Sequence, residues 1–154
     1  MKKVLFICST GGHLEEMLTL RPLFSKYKSI FVTENNVRGK QLNLDIPVYF
    51  VRFGTRRHLL AYLFIFSWNI VKEFFIFLRF MPDVVITTGA HTSVPMVYFA
   101  KLFKKKVVYI ESVARVHSKS FTGKLIEKKV DKLIVQWKEM EDVYENGEYH
   151  GQLL

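Results

Sequence analysis

Val4-Leu5-Phe6-Ile7-Cys8-Ser9-Thr10-Gly11-Gly12-His13-Leu14-Glu15-Glu16-Met17-Leu18 reads as strand, tight turn and helix. A short run of β-branched and aromatic residues gives way to small residues and then to helix formers. Gly11 and Gly12 let the backbone turn sharply and come close to a bound group, and the first free N–H groups of the following helix point to the same place. That suits an anion or a sugar. His13 stands where the helix begins. Its imidazole either faces this crevice, where it can take or give a proton near neutral pH, or caps the helix.

Outward from this unit, short apolar runs recur at Val4–Cys8, Ile30–Thr33, Val48–Val51, Val84–Thr87, Val107–Ile110 and Leu133–Val135. They are rich in Val and Ile and do not alternate, as strands covered on both faces require. The stretches between them predict helices at about 13–25, 58–80, 93–104, 121–129 and 138–145. Strand and helix in alternation imply a Rossmann-like α/β domain over residues 1–154, with a parallel sheet of about six strands and helices on both faces. Ligands in such sheets bind at the carboxyl ends of the strands.

Two more strand ends carry polar residues to that edge. Thr87-Thr88-Gly89-Ala90-His91-Thr92-Ser93 repeats the small-residue turn with a histidine; Thr92 or Ser93 can cap the helix, and Pro95 fits its first turn. Tyr109-Ile110-Glu111-Ser112 is followed by Arg115. Glu111 is placed for binding or base chemistry and Arg115 for gripping phosphate, or the two form a surface ion pair. Glu34-Asn35-Asn36-Val37-Arg38-Gly39-Lys40 reads as a solvated loop, with phosphate binding as the alternative.

The formal net charge is +9 at pH 7, with an isoelectric point of about 9.7. This favours phosphate-bearing partners, either nucleic acid or an anionic membrane face. The aromatics cluster in an apolar helix and are not interleaved with Lys and Arg, which argues against nucleic acid. Cys8, the single cysteine, lies in the first apolar run and reads as a buried hydrophobe in a reducing compartment. Lys2 and Lys3 precede too short an apolar run for a secretory signal, so the expected location is cytoplasmic.

Arg56, Arg57 and His58 precede Leu59–Val71, thirteen residues without a charge, then Lys72-Glu73 and Phe74–Leu78. A helix here is about 34 Å long, at about 1.5 Å per residue. Lys72-Glu73 interrupt it, and a spanning helix is hard to reconcile with strands of one sheet on both sides. Tyr62, Asn69, Lys72, Glu73 and Arg79 share one side with Ile65, Ile76 and Phe80, and aromatics crowd the rest. The segment 56–81 either lays an apolar side in a membrane interface, with Arg56 and Arg57 at anionic headgroups and Trp68, Phe74 and Phe75 in the apolar layer, or is buried against the core or a partner.

Ser-Thr-Gly-Gly-His at 9–13, Thr-Thr-Gly-Ala at 87–90, Tyr-Ile-Glu-Ser at 109–112, Arg115, Phe-Thr-Gly-Lys at 121–124, Val-Gln-Trp at 135–137 and the closing Tyr-x-Gly-x-Leu together resemble the Alg14/PssD family. Those proteins are acceptor-side, membrane-associated subunits of two-subunit UDP-sugar glycosyltransferases, in dolichol-linked oligosaccharide assembly or in capsule and exopolysaccharide assembly. The Gly-Gly-His turn also resembles that of MurG-like transferases. The resemblance implies the N-terminal half of a GT-B enzyme, with a separate chain binding the UDP-sugar. Eukaryotic members carry an N-terminal anchor, which makes the bacterial branch the closer comparison and the inner face of the plasma membrane the expected site.

By the same resemblance, a sugar passes with inversion to a hydroxyl of a lipid-diphosphate-linked acceptor, without metal or other cofactor. His13 or Glu111 is the base. Thr10, Gly11, Gly12, Thr88, Gly89, His91, Ser112 and Arg115 bind the acceptor. The tail 149–154, through Tyr149, Gly151, Leu153 and Leu154, docks the partner together with Trp137. The rival reading is a non-enzymatic module that recruits a catalytic partner to the membrane.

Overall fold

In β1 (Lys3–Cys8) successive side chains meet different helices, which explains why its apolar run does not alternate. Val4, Phe6 and Cys8 pack with Leu14, Met17 and Phe24 from α1 (Gly12–Thr19) and α2 (Arg21–Phe24). Leu5 and Ile7 point the other way, to Phe77 of α3 (Leu59–Phe80) and to Val97 and Ala100 of α4 (Val94–Leu102). Burial pushes the Cys8 thiol far above its ordinary range, so it packs as a small hydrophobe.

The computed structural model describes residues 1–35, 42–54 and 57–154. The remaining strands are β2 (Lys28–Glu34), β3 (Val48–Val51), β4 (Val84–Gly89), β5 (Lys106–Ile110), β6 (Lys132–Val135) and β7 (Gly147–Tyr149), with α5 (Phe121–Ile126) between β5 and β6. Among the described residues seven strands form one parallel sheet in the order β3-β2-β1-β4-β5-β6-β7. The chain winds outward from β1 through β2 to β3, then returns over α3 to β4 on the other side of β1. That reversal opens a crevice between the carboxyl ends of β1 and β4.

Three local expectations change. The helix expected at 13–25 is two, because Pro22 opens a new turn at Arg21. The helix expected at 138–145 is only a 3-10 turn, Lys138–Glu141. The chain then enters β7, so Tyr149 belongs to a seventh strand at the sheet edge. Gly147-Glu148-Tyr149 has no β-branched residue to announce it.

The long helix is inverted relative to a soluble amphipathic helix. Asn69 and Glu73 face inward, while Leu60, Phe64, Trp68, Val71 and Phe75 are exposed. Asn69 replaces a backbone partner at the end of β3: its Nδ2 donates to the Arg52 carbonyl at 2.7 Å and its Oδ1 accepts from the Arg52 amide at 2.9 Å. By length and composition α3 is apolar enough to cross a membrane, yet its inner side packs on α4, with Phe74 5.2 Å from Phe99 between ring centres. It ends where Met81 turns left-handed ahead of Pro82.

Candidate active-site crevice

The turns after β1 and β4 are tied together before any ligand is considered. The Ser9 amide donates to the Gly89 carbonyl at 2.9 Å, and Thr88 Oγ1 donates to the His13 carbonyl at 2.7 Å. His13 Nδ1 lies 2.7 Å from the Thr88 carbonyl oxygen, which can only accept, so Nδ1 carries the hydrogen. In the neutral ring the lone pair is then on Nε2, and the ring forms part of the crevice wall. Gly89 has φ of +94°, and a Cβ there would lie 3.4 Å from His13 Cε1. The glycine therefore supplies both the backbone conformation and the space against which the imidazole rests.

A buried carboxylate, Glu34, stands behind this wall. It is the last residue of β2 and 1% exposed, which corrects its reading as the start of a solvated loop. It accepts from the Thr10 amide and hydroxyl, both at 3.2 Å, and from Thr92 Oγ1 at 2.6 Å, and it pairs with His91 Nε2 at 3.3 Å. Burial pushes this carboxyl up, but the hydrogen bonds from His91, Thr92 and Thr10 outweigh it and hold the group below its ordinary value. Thr92 and Ser93 do not cap α4: Thr92 turns to Glu34, and Ser93 Oγ donates to the Ala90 carbonyl at 2.7 Å. An acidic residue closing an apolar run was the only sequence sign of Glu34. Of the rest of that loop, residues 36–41 lie outside the described residues.

Glu111 is buried at 1% exposure, and its two oxygens receive five hydrogen bonds. The donors are Tyr109 Oη, the Ser112 amide, the Ser120 amide and hydroxyl, and Tyr144 Oη. Burial and the adjacent carboxylate push the Tyr144 phenol far above its ordinary range, so it remains a donor. Ser120 also caps α5, accepting from the Gly123 amide at 2.9 Å. Glu111 thus folds the 111–120 loop from beneath. Glu16 of α1 holds the same loop from the side, accepting at 3.0 Å from Ser112 Oγ and from the Val113 amide.

These supports bring His13, His91, Ser112, Arg115, Ser120 and Thr122 around a cavity of about 250 Å³. Gly11 (φ +80°) and Gly12 form the exposed rim at the start of α1, whereas Thr10 and Thr88 turn their hydroxyls into the supporting network. Glu111 reaches the loop but is not part of the cavity wall. Among the described residues no three His, Cys, Asp or Glu side chains converge as metal ligands would.

The other expected residues lie apart from the crevice. Arg56 falls outside the described residues; Arg57, Trp68 and Phe75 are exposed, and Phe74 is half-buried on the inner side of α3. Trp137 is half-buried, with Nε1 donating to the Val113 carbonyl at 2.6 Å. Gln136, which sequence reasoning did not single out, links the tail to the site. Its Nε2 donates to the Glu111 carbonyl at 3.0 Å, and its Oε1 accepts from the Leu153 amide at 2.8 Å. Tyr149 and Leu154 are exposed, and Gly151 turns with φ of +99°.

Residues 54–153 match the family described as "Oligosaccharide biosynthesis protein Alg14 like". The chain is 40% identical over 79 residues to the UDP-N-acetylglucosamine transferase subunit ALG14 of Debaryomyces hansenii, covering 47% of this chain and 34% of that protein. It is 24% identical over 180 aligned positions to the Mus musculus subunit of the same name, covering 99% of this chain and 83% of that one. The match thus spans about a third of the fungal relative's length. Among solved structures, Acinetobacter baumannii MurG superposes with a TM-score of 0.78 at 16% identity, over 97% of this chain and 45% of that one. A Staphylococcus aureus MnaA–UDP structure gives 0.70 at 15% identity, over 99% of this chain and 46% of that one. The fold is that of one Rossmann-like half of GT-B proteins such as MurG.

Proposed function

The chain belongs to the Alg14-like family of oligosaccharide biosynthesis proteins, and from that premise we propose that it is the acceptor-side subunit of an inverting UDP-sugar glycosyltransferase. The acceptor is a sugar linked through diphosphate to a lipid, in assembly of a lipid-linked oligosaccharide or a surface polysaccharide. A separate chain binds the UDP-sugar and closes the crevice from above. Relatives named for UDP-N-acetylglucosamine make that the first donor to test.

The observation that carries this reading is the Nδ1–H bond of His13 to the Thr88 carbonyl, which leaves Nε2 as the basic atom in the crevice wall. As the acceptor hydroxyl oxygen bonds to the anomeric carbon, its proton passes to Nε2, and the bond from that carbon to UDP breaks, with the electron pair leaving on the phosphate oxygen. Arg115, in the same wall, holds the acceptor diphosphate. Glu111 acts as a positioning residue, because its oxygens are occupied by the loop it folds. The inverted face of α3 supports contact with an anionic membrane at its cytoplasmic face, with Arg57 beside the headgroups and Trp68 and Phe75 in the apolar layer.

Reconstitution with the donor-binding subunit tests the assignment. His13→Ala is expected to lower kcat by about a hundredfold or more, the usual share of general-base catalysis, with complex formation unchanged. Full activity of His13→Ala would remove it as base. Turnover by the partner alone on a soluble acceptor would make this chain a recruiting module.

A further inference from the structure

The crevice does not end at His91. That residue and Phe121 are also walls of a second cavity of about 490 Å³, formed where the first half of α3 lies near α4 and α5. Leu63, Phe66, Val94 and Leu125 make up most of the rest. His91 turns Nε2 toward Glu34 and meets Tyr62 edge-on at 5.8 Å, so one imidazole separates the polar space from the apolar one. We propose that this groove holds the first carbons of the acceptor's lipid chain, next to its diphosphate.

The argument is continuity. A lipid diphosphate is one molecule with a charged end and an apolar end, and if Arg115 grips the charged end, the chain leaves the crevice close to Phe121. Water is the alternative route, and it leaves the hydrocarbon solvated beside an apolar groove that shares two walls with the crevice. Beyond the groove, exposed Leu60, Phe64 and Trp68 continue an apolar path along α3 toward the bilayer. The inference rests on the acceptor being a lipid diphosphate, as proposed above.

The test is photolabelling of the full chain in mild detergent with farnesyl diphosphate carrying a diazirine on its last isoprene unit. Adducts are expected on Leu63, Phe66 and Leu125, reduced at least fivefold by unlabelled farnesyl diphosphate but not by a phospholipid. Leu125→Arg and Leu63→Arg, at positions 41% and 50% exposed, are expected to fold and to lose labelling to the same degree. Adducts confined to Phe64, Trp68 and Phe75, or equal competition by phospholipid, would show a membrane surface and overturn the groove. Labelling abolished by the donor-binding subunit would assign the groove to that partner. No labelling while the complex still glycosylates a prenyl-linked acceptor overturns the groove alone. No labelling and no such transfer overturns the function as well.

Discussion

An imidazole whose Nδ1–H is engaged by a carbonyl 2.7 Å away presents its basic nitrogen in one direction, and the glycine beneath it decides whether that direction is kept. Gly89→Ala puts a side chain on a left-handed residue and a methyl 3.4 Å from the His13 ring. We expect it to cost about 1–2 kcal/mol in urea unfolding and to lower kcat by displacing His13, the proposed base. Gly123→Ala carries no backbone penalty, but its methyl would overlap the Tyr144 hydroxyl and lie 2.8 Å from Glu111 Oε2. There we expect about 2 kcal/mol of destabilisation from overpacking. Gly12→Ala meets nothing within 4 Å and should leave stability unchanged or slightly raised. A raised acceptor KM in that variant would support close approach of the acceptor to the rim. The small residues of both turns were readable because glycine beside histidine after an apolar run has few local uses. Glu34, Glu16 and Gln136 were not, because their partners lie 24, 96 and 25 positions away and leave no local mark. For Glu111 the place was legible and the partners were not, since Ser120 and Tyr144 lie 9 and 33 positions away.

At the scale of elements, α3 places a carboxylate where a soluble helix places leucine. Glu73 is fully buried, and neither of its oxygens has a hydrogen-bond partner among the described residues. Burial, with the Glu34 carboxylate as a second cause, raises its pKa well above the ordinary 4.5, so the folded chain keeps a proton that the unfolded chain releases. The unfolded state then binds fewer protons above pH 4.5, and stability declines as pH rises from there until the folded group itself ionises. Glu73→Gln should remove that decline, raising Tm at pH 8 more than at pH 4.5. Equal Tm gains at both pH values would show that Glu73 is not protonated in the fold. The outer face of the same helix makes a separate prediction: the protein should float with liposomes containing anionic lipid, and Phe64→Glu with Trp68→Glu should abolish it while leaving the fold intact. Its length and apolar character were evident in the sequence, but which side faces inward was not. Helical periodicity gathers Asn69 and Glu73 on one side without revealing that Arg52 and the sheet claim that side.

For the whole molecule, six of the seven strands among the described residues follow from apolar runs covered on both faces, while their order in the sheet, and β7 with its pairing to β6, depend on contacts that only the assembled sheet supplies. The result is a carboxyl-edge crevice with one set of walls, in a chain that superposes on 45% of MurG. With His13 as the proposed base and Arg115 as the proposed anion grip, the leaving group must be held from outside this crevice, so the means of joining the donor-binding chain would be part of catalysis. We propose that the tail makes that link. Leu153 is held by Gln136, Gln136 holds the Glu111 carbonyl, and Glu111 folds the loop that bears Arg115, while Tyr149 and Leu154 stay exposed beside them. Removing residues 150–154 should therefore abolish co-purification of the donor-binding subunit without changing Tm by more than a few degrees. Gln136→Ala should leave the subunit bound but lower activity, because the tail would dock without fixing the loop beneath the acceptor. If the truncated chain still captures its partner, the junction lies elsewhere on the sheet edge, and Trp137, half-buried against Val113, becomes the next position to test.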